Sequence, residues 1–104
     1  MLEQQLKDEF TAFYNERLFF LLPDECRYIK PAFKPIRTIK DGKIMYNLTC
    51  IVKNCESGNS KKASLPEDLR IRQELGTFER SNAGALSILR VMIETEDYIF
   101  KYPQ

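Results

Sequence analysis

The tetrapeptide Lys40-Asp41-Gly42-Lys43 constrains the fold more than any other feature of the sequence. Asp-Gly sits between two alternating apolar/polar runs, the composition a two-residue type I′ hairpin demands. With Lys40 closing on Lys43, strands at about 28–40 and 43–53 pair so that opposite residue numbers sum to 83. One face then carries Ile39 with Ile44, Arg37 with Tyr46, Pro35 with Leu48 and Phe33 with Cys50. The other carries Lys40 with Lys43, Thr38 with Met45, Ile36 with Asn47, Lys34 with Thr49 and Lys30 with Lys53. The first set is apolar enough for a core and the second is lysine-rich.

The prolines agree with this register. In a two-residue hairpin the even-numbered residues of the first strand turn their amides toward the partner strand. Pro31 and Pro35 are odd, so the N–H groups they lack would have faced outward. The first strand is therefore expected at a sheet edge, with any third strand on the far side of 43–53.

Upstream, Leu2, Leu6, Phe10, Phe13, Tyr14 and Leu18 recur at spacings of three and four, predicting a helix that Pro23 stops. Downstream, 54–63 has no apolar period and reads as a loop. Ser64 and Glu67 fit a capping box, Pro66 suits a first turn, and Leu65, Leu69, Ile71, Leu75 and Phe78 continue as a helix to about 79. Residues 85–93 are ambiguous. The Ala-Gly-Ala-Leu lead-in favours a helix with Ala85, Leu86, Leu89, Met92 and Ile93 inward, while Ile88, Val91 and Ile93 also fit a strand. Residues 97–102 read as a short strand either way. The expectation is a single α+β domain over 1–104, with a small antiparallel sheet covered on one face by helices.

Composition narrows the chemistry. The absence of histidine removes Ser-His and Cys-His nucleophile pairs and the commonest neutral base. Cys26, Cys50 and Cys55 have no C-x-x-C spacing and are odd in number, which reads as reduced thiols in a cytoplasmic setting. Cys50 is expected in the core and Cys55 in a polar loop as the reactive thiol. Glu94, Glu96 and Asp97 cluster as a solvated turn, and no glycine-rich phosphate cradle occurs. The opening MLEQQLKDEF is unlike a signal peptide. Neither enzyme, cofactor nor metal is expected.

Near-neutrality hides opposed blocks. Residues 1–26 carry a net −4, 27–62 a net +7 and 63–104 a net −2, within an overall +1. Lys30, Lys34, Lys40, Lys43 and Lys53 share one hairpin face, followed by Lys61 and Lys62 in the loop. Two like-charged cross-strand pairs are destabilising unless an anion offsets them. These lysines form the candidate partner-binding surface. The expected function is that of a small accessory or regulatory protein, of the kind seen among inhibitors, immunity proteins and phage or plasmid regulators. Its partner is expected to be an acidic protein surface, without membrane association. The alternative is nucleic acid on the same basic hairpin, and the acidic first block adds a homodimer as a further option.

Overall fold

The computed structural model describes residues 3–55 and 66–103. Helix α1 spans Glu3–Phe13, strands β1 and β2 span Ala32–Lys40 and Lys43–Lys53, helix α2 spans Asp68–Ser81, and strands β3 and β4 span Leu86–Glu94 and Ile99–Tyr102. The sheet order is β1-β2-β3-β4. The fold is α+β, with a mostly antiparallel four-stranded sheet.

The turn adopts the left-handed backbone that a type I′ hairpin requires, with φ of 53° at Asp41 and 74° at Gly42. Its register follows the predicted pairing from Lys40↔Lys43 to Ala32↔Ile51. The ladder stops there, so Lys30 lies before β1 and does not pair with Lys53. Strand β1 is an edge, in keeping with Pro35 within it, Pro31 lies just before it, and β3 joins on the far side of β2. The β2/β3 pair is parallel, because the α2 crossover returns the chain to the same end of the sheet.

Residues 85–93 are not a helix. Strand β3 pairs along β2, but its register shifts where Tyr46↔Leu86 gives way to Asn47↔Ile88. This bulge at Ser87 changes which side the following side chains face. Leu86, Leu89, Val91 and Ile93 are consequently all buried. A strand whose period-2 pattern is interrupted in this way shows spacings of three and four that imitate a helix. Strand β4 returns antiparallel through a Glu96-Asp97 turn, with Thr95 N–H donating to the Tyr98 carbonyl at 2.8 Å.

The first helix continues beyond α1 in altered form. Tyr14–Leu18 widen into a π-helical turn and Phe19–Leu21 tighten into a 3-10 turn. Residues spaced by four drift about 40° per step around an ideal α-helix. The wider turn opposes that drift, and Leu6, Phe10, Tyr14 and Leu18 are all buried. Leu22, held extended (ψ 153°) before Pro23, ends the segment.

The core joins these residues to Leu48, Cys50 and Val52 of β2, to Ile71, Leu75 and Phe78 of α2, and to β3 and Phe100. The Phe10 ring meets Phe33 of β1 and Phe78 of α2 edge-on, each at 5.1 Å. On α2 the stripe is Ile71, Leu75 and Phe78. Leu69 falls outside it and is 67% exposed, while Asp68 accepts a hydrogen bond from the Tyr98 hydroxyl. Tyr102 donates to Glu79 at 2.7 Å and Arg72 lies 4.6 Å over the Phe100 ring, so three contacts tie the β4 end to α2. Ser64 lies outside the described residues, and Glu67, expected three residues into the helix, instead stands at the N-cap of α2 with no side-chain capping bond, so α2 starts later than the capping box implied.

Candidate functional site

Strand alternation divides the sheet's side chains into two sets. Phe33, Tyr46, Leu48, Cys50, Val52, Leu89, Val91 and Ile93 belong to the core side. The opposite set comprises Lys34, Ile36, Thr38 and Lys40 on β1, and Lys43, Met45, Asn47, Thr49, Ile51 and Lys53 on β2. Beyond the bulge it continues with Ile88, Arg90, Met92 and Glu94 on β3, then Ile99 and Lys101 on β4. Not one residue of this second set is buried. Among the described residues, this is an open sheet face.

Register arranges it in rows. Ile36, Asn47 and Ile88 stand level across β1, β2 and β3, and Lys34, Thr49 and Arg90 form the next row. Ile51, Met92 and Lys101 form a third row across β2, β3 and β4. Thr49, Ile51, Arg90, Met92 and Lys101 line a shallow groove of about 290 Å³ together with Val91, Pro103 and Tyr102, whose hydroxyl is held by Glu79 of α2.

Of the sequence-predicted site residues, Lys34, Lys40 and Lys43 lie on this face and are exposed. Lys53 lies on it too, but its ammonium is 3.8 Å from Glu94. Lys30 is outside the ladder. Lys61 and Lys62 lie outside the described residues. Sequence reasoning missed Arg90 and Lys101. Arg90 reaches the level of Lys34 only through the parallel β2/β3 register, which no local motif specifies.

The hairpin tip overhangs the sheet, since β2 has no β3 partner before Tyr46. Ile39 and Ile44 share the core side of the ribbon with Tyr46. Tyr46 is 5% exposed, yet Ile39 is 74% and Ile44 51% exposed. They are not core residues, as their pairing pattern had implied; they are apolar groups on a projecting arm. Ile36, on the open face, is 60% exposed.

The three thiols are enclosed. Cys26, Cys50 and Cys55 are all buried and unbridged. Cys55 is 8% exposed, which corrects the expectation of a reactive loop thiol. Burial pushes the Cys50 thiol up to about 12 and, aided by Glu25, the Cys26 thiol up to about 11. Among the described residues no group of three or more acidic or thiol side chains could hold a metal ion. None of the described helices is long and apolar enough to cross a membrane. No known protein family, curated protein or solved structure matches the chain.

Proposed function

We propose that this is a non-enzymatic accessory or regulatory protein of a reducing, cytoplasmic compartment, acting by binding an acidic protein surface through its open sheet face. The observation that carries the reading is the mixture on that face. Exposed Lys34, Lys40, Lys43, Arg90 and Lys101 are interleaved with Ile36, Ile88, Met45, Ile51 and Met92. Protein interfaces draw on both kinds of group, apolar side chains to desolvate and charged ones that set orientation.

The nucleic-acid alternative is less favoured. Single-strand binders stack bases on outward aromatics, whereas Phe33 and Tyr46 belong to the core side and the open set contains no aromatic residue. Lys34, Lys40 and Lys43 remain the site residues proposed from the hairpin, joined now by Arg90 and Lys101. A catalytic role has no support from the three buried thiols or the histidine-free composition.

The test is the native mass of the protein's complex before and after nuclease treatment, for wild type and for Lys34→Glu. A protein complex that survives nuclease and is lost in the variant supports the reading. Loss on nuclease treatment, with affinity for a 20-bp duplex falling steeply in salt, would transfer the face to nucleic acid.

A further inference from the structure

The acidic partner surface can be specified further, and this step rests on the reading above. We infer that the partner presents an acidic amphipathic α-helix, laid along β2 on the open face, with carboxylates on both flanks of its apolar stripe.

The register provides the geometry. Lys34 and Arg90 stand level on either side of Thr49, one strand away in each direction. Strands are spaced about 4.8 Å apart, so these two backbone positions are about 10 Å apart. That is close to the diameter of an α-helix with its side chains, about 10–12 Å. A helix running along β2 therefore has an exposed cation at each flank, both within reach of carboxylates that border its apolar stripe. Beneath it, Met45 to Ile51 span seven residues, about 20 Å of strand, which about 13 residues of helix cover. Ile36 and Ile88 flank Asn47 one row away, and Ile51 and Met92 lie level in the row on the other side of Thr49. Met45 and Ile51 thus lie on the axis, while Ile36, Ile88 and Met92 share the two flanking strands with Lys34 and Arg90.

A single extended strand fits less well. It would bring one row of side chains to the face and could not reach both flanking cations at one level. A second copy of this chain also fits poorly. Leu6, Phe10 and Leu18 of its first helix and Ile71 and Leu75 of α2 are fully buried in its own core. Among the described residues its helices have no free apolar stripe to offer, even though its first block is acidic.

The experiment uses the full chain and two fluorescein-labelled 18-residue peptides of identical Leu, Glu, Gln and Ala composition, capped at both ends. One places Leu at i, i+3, i+4 and i+7 with Glu on both borders; the other permutes the same residues so that no stripe forms. The striped peptide should bind about tenfold more tightly than the permuted one and gain helical circular dichroism on binding. Arg90→Glu and Lys34→Glu, both exposed positions, should each weaken it by roughly tenfold with unchanged urea unfolding.

Equal binding of the two peptides would overturn the helical mode and leave the acidic-surface reading standing. Binding insensitive to Arg90→Glu, or no binding of the striped peptide at all, would overturn the assignment of this face to a helix. If neither peptide binds while the 20-bp duplex does, both readings fail together. Sedimentation of the protein alone completes the test, because a dimer broken by Arg90→Glu would give the face to a second copy.

Discussion

Phe10→Ala is the substitution that most directly probes how the two ends of the chain are joined. The Phe10 ring is fully buried and meets Phe33 of β1 and Phe78 of α2 edge-on at 5.1 Å, with Phe13 at 5.5 Å. Truncating a buried phenylalanine to alanine costs about 3–5 kcal/mol through lost transfer energy and the cavity left behind. Aromatic pairs add about 0.5–1.5 kcal/mol each beyond area, so the upper half of that range is expected. A domain of this length has about 5–15 kcal/mol of stability, so the variant should be strongly destabilised at room temperature. Phe10→Leu retains most of the volume and loses the ring contacts, and should cost about 1–2 kcal/mol. Urea unfolding followed by circular dichroism measures both. Because Phe10 contacts the core set, Phe10→Leu should leave binding by the open face unchanged. A loss below about 1 kcal/mol for Phe10→Ala would refute the reasoning, since it would mean that the ring contributes nothing to joining the helix, β1 and α2.

Three further outcomes are expected. Lys40 and Lys43 are direct cross-strand partners at the hairpin's closing pair, so Lys43→Glu should raise stability by about 0.2–0.5 kcal/mol at low salt while weakening partner binding; a less stable variant would contradict the pairing. The Tyr14 hydroxyl is buried with no hydrogen-bond partner among the described residues, so Tyr14→Phe should be neutral or stabilising by up to about 1 kcal/mol in urea unfolding, and a loss of that size would reveal a partnered hydroxyl. Burial holds the Cys50 thiol protonated in the folded chain, moving it from 9.0 to about 12. Above pH 9 the unfolded chain therefore binds fewer protons, and stability must fall as pH rises toward 12, by at most about 1.4 kcal/mol per unit from this group. Cys50→Ala should flatten the pH 9–10 part of the unfolding profile, and an unchanged slope would count against burial as the cause.

The hairpin was legible because its information is local. Asp-Gly specifies the turn, the turn specifies the register, and prolines at odd positions specify the edge. Leu6, Phe10, Tyr14 and Leu18 were legible as one stripe, although four-residue spacing alone does not reveal that a π-helical turn keeps them together. The third strand was not legible, because the bulge at Ser87 gives Leu86, Leu89 and Ile93 helical spacing. That misreading also hid Arg90, whose place beside Lys34 depends on a non-local parallel pairing. Lys101 was hidden for the same reason, since it joins the face only through Met92 of β3. Ile39 and Ile44 were placed on the correct side of the ribbon, but alternation says nothing about where the core ends along a strand. Cys55 borders the polar stretch 56–62 and is nevertheless buried, a consequence of tertiary packing that composition cannot show.

The most direct test of the central claim is the affinity of the purified chain for the striped acidic peptide, measured by fluorescence anisotropy for wild type and for Arg90→Glu at one low salt concentration. Arg90 is decisive because only the folded sheet, and no run of neighbouring residues, places it level with Lys34. The account predicts binding by wild type and a loss of roughly tenfold in the variant, with unchanged urea unfolding. Equal affinities for the two proteins would contradict it.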